Sequence, residues 1–320
     1  MESVSFVIIA FNEEASIASA IASIMELHEL AEYEIIVVND GSRDRTAEVV
    51  ANIAAVNSQV RQIVFPANTG RGNARKTGVD AASGELIATV DADIVLPPDW
   101  LVRARTALTH ADAVGGTAVP DGDVAYIHRR FGLVPQPVGH TATVTGSNAL
   151  YRRKVFDIVE FNSALRNGED CALNYLMADH GLLCQTVPGL VVGHREGKSF
   201  RASLRWLFES GIGATRQFRT YRAIRQPDVV AAGFVIALGI GISAAFLTGG
   251  LAGLSVPVCF VAAAGAQHIR TRFKIGLADV PRALLAVGAD ALLLIAYFAG
   301  RIAGVGQRLP EERPAARAVE

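Results

Sequence analysis

The chain has 320 residues, enough for one sizeable catalytic domain and an appendage. Lys and Arg number 30 against 31 Asp and Glu, so charge gives no general affinity for polyanions and no nucleic acid partner is expected. Cys171, Cys184 and Cys259 lack metal-ligand spacing and are odd in number, which argues against a disulfide framework and suits a reducing compartment.

Val4–Ala10 is an apolar run of strand length, cut short by Asn12-Glu13-Glu14 and preceded by no basic segment. It is expected to be a strand and not a signal peptide, which leaves the catalytic part on the cytoplasmic side. Ile17, Ala20, Ile21 and Ile24 fall on one helical face. Strands are then expected at Tyr33–Val38, Val60–Phe65 and Leu86–Val90, with helical pattern through Ala47, Val50 and Ala54 and across Gly70–Ala82. Strand alternating with helix four times predicts an α/β fold with a mainly parallel sheet and flanking helices. Pro97-Pro98 opens a further helix to about Thr109. Strands are expected at Asp112–Val119 and Thr141–Tyr151, either side of a long loop at 120–140. A helix follows Asn167-Gly168-Glu169-Asp170, then two short strands at Leu182–Val187 and Leu190–Gly193. This first domain is taken as 1–194.

Residues 195–228 read as a basic amphipathic segment: Arg195, Lys198, Arg201, Arg205, Arg216, Arg219, Arg222 and Arg225 are interleaved with Phe200, Leu204, Trp206, Leu207 and Phe208. A solvated helix face has this look, and so does a helix lying at a membrane surface. From Val229 to Ile269 no Asp, Glu, Lys or Arg occurs. One membrane helix needs about 20 apolar residues, so helices are expected at about 229–248 and 251–269, with a third at 284–303. Asp290 interrupts the third, and a charge at mid-membrane costs about 3 kcal/mol on insertion scales. Basic residues flanking the first pair belong on the cytoplasmic side. The expectation is a multi-pass membrane region over 229–305 in contact with membrane lipids, a cytoplasmic catalytic domain, and a polar tail at 306–320.

Four constellations carry chemistry. Asp91-Ala92-Asp93 closes the fourth strand, and ligands of open parallel sheets sit at strand C-terminal ends. Two carboxylates there suit Mg²⁺ or Mn²⁺ with substrate phosphates, although a solvated acidic turn would read the same way. Asn39-Asp40-Gly41-Ser42 ends the second strand, where Asp40 can accept from a base imide or a ribose hydroxyl, or can simply cap a turn. Gly70-Arg71-Gly72-Asn73-Ala74-Arg75 opens a helix, and helix N-termini and guanidinium groups both favour phosphate oxygens; an ordinary capped helix is the alternative. Glu169-Asp170 begins another helix, where a carboxylate can serve as general base or merely complement the helix dipole.

Together these stretches resemble the large inverting glycosyltransferase family with a GT-A fold, often called family 2. The matching stretches are Val7–Glu14, Ile35–Asp44, Arg71–Gly78, Gly84-Glu85 through Asp91-Ala92-Asp93 with Pro97–Leu101, Gly146–Ala149 and Gly168–Asp170, in family order over residues 3 to about 215. The resemblance implies a GT-A (Rossmann-like) domain followed by C-terminal transmembrane helices. By position, Ala10, Phe11, Asn12 and Glu13 would line the nucleotide pocket, Asp40 would contact the base, and Arg71 and Arg75 would lie near the diphosphate. Asp91 would contact the ribose or the metal's water shell and Asp93 would ligate the metal. Ser147 and Asn148, with Gly146, would border the acceptor and donor sugar. Asp170 would be the base, supported by Glu169.

Ala10 stands where the family usually has Pro, and Phe11 where it often has Tyr. Processive synthases carry Gln-x-x-Arg-Trp; here Ala202 precedes Arg205-Trp206, which argues against a chain-extending synthase. His194, followed by Ser199 and Gly211-x-Gly213, resembles another branch, in which such a histidine can ligate the metal or bind the leaving phosphate; a core or loop histidine is the alternative. The resemblance implies a nucleotide-sugar donor and a polyprenyl phosphate or lipid-linked glycan acceptor. A membrane glycolipid or other small acceptor is a second reading, and a non-catalytic nucleotide-sugar-binding membrane module is a third. Nucleotidyl transfer lacks the Gly-rich loop it would need after the first strand.

Overall fold

The computed structural model describes residues 2–120, 143–195, 200–221, 226–248, 255, 259 and 280–306. These fall into two compact units, one holding the described residues up to 195 and the other those from 200 onward.

The first unit opens with β1 (Val4–Ala10), α1 (Ile17–Met25), β2 (Tyr33–Asn39), α2 (Thr46–Val56), β3 (Val60–Val64), α3 (Arg71–Ala81) and β4 (Leu86–Asp91). β1 and β4 are buried at every position, which is why they read as continuous apolar runs and not as alternating ones. α1 turns Ile17, Ile21 and Ile24 onto the sheet, all but inaccessible to solvent. β3, β2, β1 and β4 pair in parallel, so Ala10, Asn39 and Asp91 emerge side by side at the strands' C-terminal ends.

Beyond β4 the sheet departs from the sequence expectation. β5 (Ile94–Val95), α4 (Trp100–Leu108), β6 (Ala113–Pro120), β7 (Asn148–Arg152), α5 (Lys154–Ile158), α6 (Glu169–Asp179) and β8 (Cys184–His194) come next in the chain. β7 slots between β4 and β6, antiparallel to both, and the eight strands run in the order β3-β2-β1-β4-β7-β6-β8-β5. The sheet is therefore mixed: six strands run one way, and β7 and β5 run against them. β7 starts at Asn148 and not at Thr141, and the two short strands expected near 182–193 are one irregular strand, paired in parallel with β6 across a register shift. The expected loop at 120–140 lies outside the described residues apart from Pro120.

Glu34 ties the sheet's lower edge together. Its Oε1 accepts from Ser5 Oγ at 2.7 Å and from Ser83 N and Oγ at 2.6 Å, while Arg61 donates to Oε2. Burial pushes its carboxyl up, but these donors outweigh it and hold the group below its ordinary value of 4.5. A carboxylate depressed in the folded state contributes stability above its unfolded value, and that contribution is lost as pH falls through the lower folded value. Glu34→Ala is expected to cost about 2 kcal/mol at pH 7, as for charged hydrogen bonds. Urea unfolding of both proteins should show the gap shrinking below about pH 4.5.

The second unit contains α7 (Phe200–Tyr221), α8 (Gln226–Thr248) and α9 (Val280–Val305). α7 and α9 pack closely through glycines: a Cβ on Gly211 would overlap the Tyr297 carbonyl, and one on Gly300 would overlap that of Phe208. Thr215 Oγ1 donates to Arg301 O at 2.8 Å, and Arg301 pairs with Asp228 of α8. Among the described residues, no helix is long and apolar enough to cross a membrane. The expected spans at 229–248 and 284–303 fall within α8 and α9, and the α9 sequence includes Arg282, Asp290 and Arg301. The expected span at 251–269 lies almost wholly outside the described residues, as do Lys198, Arg222, Arg225 and the tail from 307.

Candidate active site

Two loops at the ends of β1 and β2 form one wall. Asn12 adopts a left-handed backbone (φ 58°), its N–H donating to Ser42 Oγ at 2.9 Å and its Oδ1 accepting from Arg43 N at 2.8 Å. Glu13 N donates to Thr46 Oγ1 and Glu14 N to Asp44 Oδ2, while Glu13 Oε2 accepts from Ser16 Oγ. Ala10 is buried and accepts from Asp40 N, whereas Phe11 remains exposed on this wall. An exposed ring beside a fixed loop can stack on a base.

Asp40 is buried, and both of its oxygens are engaged. Oδ1 accepts from Thr69 N and Thr69 Oγ1, and Oδ2 accepts from Gly70 N at 2.9 Å. A carboxylate offers about four acceptor positions, so one remains for an outside donor. Gly41 makes the close approach possible: at φ 72° its missing Cβ leaves room for the Ala67 backbone.

The start of α3 differs from the sequence expectation. Arg71 N donates to Arg166 O and Gly72 N to Leu165 O, so these first amides are satisfied by the 162–166 segment. A Cβ on Gly72 would overlap the Asn162 and Leu165 carbonyls, which shows how closely the two segments pass. Attraction of phosphate at this end therefore rests on the Arg71 guanidinium, whose side chain is 40 % exposed. Arg75, one turn on, is 1 % exposed. Its Nη2 donates to Asp91 Oδ1 at 2.7 Å, its Nε to Glu169 Oε1 at 2.7 Å and its Nη1 to Gly146 O. Arg75 thus commits all three guanidinium nitrogens to protein groups.

The charges in this cluster respond to one another. The Asp91 carboxylate beside it raises Arg71 further, with Glu169, Asp170 and Asp93 adding to the effect. Burial pushes Asp91 up, but Arg71 and Arg75 outweigh it and hold the carboxyl below the ordinary range. Burial pushes Glu169 up, Asp170 adds to this, and the two arginines only partly offset it.

Asp93 and His194 lie 101 residues apart in the chain. Two-residue β5 joins them: Ile94 pairs with His194 of β8, and Asp93 O accepts from Arg195 N. His194 Nε2 and Asp93 Oδ2 stand 2.9 Å apart, both side chains about one-fifth exposed (21% and 18%). Among the described residues no cluster of three or more His, Cys, Asp or Glu side chains could hold a metal. Of the three side chains expected at a metal, Asp91 accepts from Arg71 and Arg75 through its two oxygens, while Asp93 and His194 pair with each other. A carboxylate and an imidazole, with diphosphate oxygens and water completing the shell, still fit a divalent ion, and the nitrogen donor suits Mn²⁺ better than Mg²⁺.

Asp170, half-buried at the start of α6, accepts from Gly146 N through Oδ2 at 3.2 Å and from Cys171 N through Oδ1 at 2.7 Å. Ser147 is half-buried, and its carbonyl accepts from Asp91 N. Asn148 is fully buried; it accepts from Trp100 Nε1 at 2.7 Å and donates to Leu190 O, so its amide is engaged at both ends within the protein. Sequence reading missed Asn174, which bonds both backbone groups of Val144 and lies four residues after Asp170 on the same helix face. That spacing was the available signal.

Residues 5–159 match the profile described as Glycosyl transferase family 2. The chain is 33% identical over 223 residues to the succinoglycan biosynthesis protein ExoO of Rhizobium meliloti, covering 62% of each chain. It is 42% identical over 95 residues to the dolichyl-phosphate beta-glucosyltransferase ALG5C of Trichomonas vaginalis, covering 30% of this chain and 28% of that one. The chain thus spans less than two thirds of these relatives. Among solved structures, the mannosyltransferase PcManGT from Pyrobaculum calidifontis in complex with GDP-Man and Mn²⁺ shares the fold, with a TM-score of 0.60 at 18% identity over 95% of this chain and 87% of that one. Residues 5–159 are therefore a glycosyltransferase domain of family 2.

Proposed function

We propose that the chain transfers a sugar, with inversion, from a nucleotide-sugar donor to a hydroxyl of a lipid-linked saccharide at a membrane surface. The observation that carries this reading is the convergence of Asp91, Asp93 and Asp170 around the Arg71 guanidinium, which feels the charge of all three, beside the C-terminal ends of parallel strands. Phe11, Asn12 and Asp40 would receive the base, and Asp91 the ribose. Arg71 would meet the diphosphate, and Ser147 would border the sugar. Asp93 and His194 would hold a divalent ion, which supplies electrostatic stabilisation of the leaving diphosphate. Asp170 would take the proton from the acceptor hydroxyl as its oxygen attacks the anomeric carbon opposite the leaving group. Arg71 would neutralise charge as it builds on the departing diphosphate.

The ALG5C relative, named for a dolichyl phosphate, supports a second reading in which polyprenyl phosphate is the acceptor. Its oxygen carries no proton to remove, so Asp170 would then only position it.

Membrane association is supported by the second unit. Phe246 and Leu247 are 88% and 83% exposed, Ile236, Ile240 and Ile242 are also exposed, and the sequence from 229 to 269 has no charged side chain. Exposed Trp206, Phe208 and Phe218 share α7 with exposed Arg201 and Arg205, a composition suited to anionic headgroups. On this reading the chain divides into a transferase domain over 1–194, an interfacial segment over 195–228 and a membrane region over 229–305.

The test is transfer of radiolabel from UDP-, GDP- and dTDP-sugars by the full chain with Mn²⁺, in vesicles of a bacterial lipid extract. Label entering the lipid fraction only when Mn²⁺ is present is the expected result. Mn²⁺-dependent nucleotide binding with no transfer from any donor would favour a binding module.

A further inference from the structure

Arg75 satisfies three partners that belong to different parts of the site. It reaches Asp91 at the end of β4, Glu169 at the start of α6, and the carbonyl of Gly146 in the turn before β7. The same turn is held from its other side by Asp170 Oδ2, which accepts from Gly146 N, and by Asn174, whose side chain bonds both backbone groups of Val144. Gly146 lies close against the Arg75 guanidinium: a Cβ there would stand 2.7 Å from Cζ. A planar, three-sided guanidinium fills this role; the point charge of a lysine could not reach all three acceptors at once.

We propose that Arg75 is a positioning residue, which sets the placement of Asp170 relative to Asp91 by clamping the Gly146 peptide between them. This rests on the reading of Asp170 as the base that faces the acceptor. Arg75 itself touches neither donor nor acceptor, because it is buried behind Asp91 and Glu169. Arg71, one helical turn away and partly exposed, is left as the arginine that meets the donor. Two arginines four residues apart therefore divide the work, one on the donor's charge and one on the geometry between donor and base.

A misplacement of about 1 Å in a catalytic constellation can cost about a hundredfold. The experiment uses the full chain in lipid vesicles with the Arg75→Lys and Asn174→Ala variants. Calorimetry reads the affinity for UDP and for GDP in the presence of Mn²⁺, and steady-state transfer reads kcat and donor KM. For Arg75→Lys, nucleotide affinity and donor KM are expected to stay within about threefold of wild type while kcat falls about a hundredfold. Asn174→Ala, which loosens the same turn without touching the buried charges, is expected to show the same split, with kcat about tenfold down.

A nucleotide affinity lowered tenfold or more in Arg75→Lys, on the order expected for a lost charged contact, would make Arg75 a diphosphate ligand and overturn the proposal. So would unchanged kcat in either variant. Loss of kcat matched by the fraction of unfolded protein would reduce Arg75 to a purely structural role, which equally overturns it. Wild-type protein that binds the nucleotide with Mn²⁺ but transfers nothing would sink the transferase reading separately, and the affinity comparison would still decide whether Arg75 meets the diphosphate.

Discussion

Replacing Asp170 with asparagine is expected to lower kcat for transfer to a hydroxyl acceptor by about 10²–10⁴-fold, the range that a positioned general base contributes. The substitution keeps the shape but only one acceptor oxygen, which can serve the Cys171 amide while the longer Gly146 contact is given up. Affinity for the Mn²⁺-bound nucleotide should change little, because Asp170 acts on the side of Gly146 and not on the β1–β2 wall. Single-turnover transfer beside nucleotide calorimetry separates the two quantities. The size of the loss also separates the acceptors: a phosphate oxygen carries no proton, so a fall of less than about tenfold would assign Asp170 a positioning role and favour polyprenyl phosphate.

Asp93→Ala is the second large effect. On the proposed reading Asp93 and His194 hold the divalent ion, so removing the Asp93 carboxylate takes away one of its two protein ligands. Transfer is expected to fall about 10²–10³-fold, as when one preorganised electrostatic contact to a leaving group is lost. Chelation of wild-type protein should reproduce that loss, and added Mn²⁺ should restore wild type but not the variant. Titrating Mn²⁺ against activity in both proteins checks this. Equal Mn²⁺ response in the variant would remove Asp93 from the metal's shell.

The first half of the fold is legible because β1, β2 and β4 are largely buried on both faces and the helices between them turn one apolar side to the sheet. Each is a local pattern with its own period. The rest of the sheet is not local. β7 pairs antiparallel between β4 and β6, and nothing in Asn148–Arg152 names those partners. β5 is two residues long, below any periodic signal, yet it brings His194 to Asp93. The difference between Arg71 and Arg75 is equally hidden. Both stand on one face of α3, and only the tertiary placement of Gly146 and Glu169 over the second of them buries it. The same holds for the α3 N-terminus, open to phosphate by its sequence and covered in fact by the Leu165 and Arg166 carbonyls. Asp40 is legible as a strand-end acceptor, but its grip on Thr69 and Gly70 depends on a loop 29 and 30 residues away.

Direct displacement is the core of the proposed chemistry, with one carboxylate facing the acceptor across the anomeric carbon from the leaving diphosphate. The measurement that tests it most directly is the anomeric configuration of the product formed from an α-linked nucleotide sugar, read by proton NMR on the isolated lipid-linked glycan. A β-linked product is the expected result, because attack from the Asp170 side in one step inverts the centre. An α-linked product would contradict direct displacement, since a single attack opposite the leaving group cannot retain the configuration.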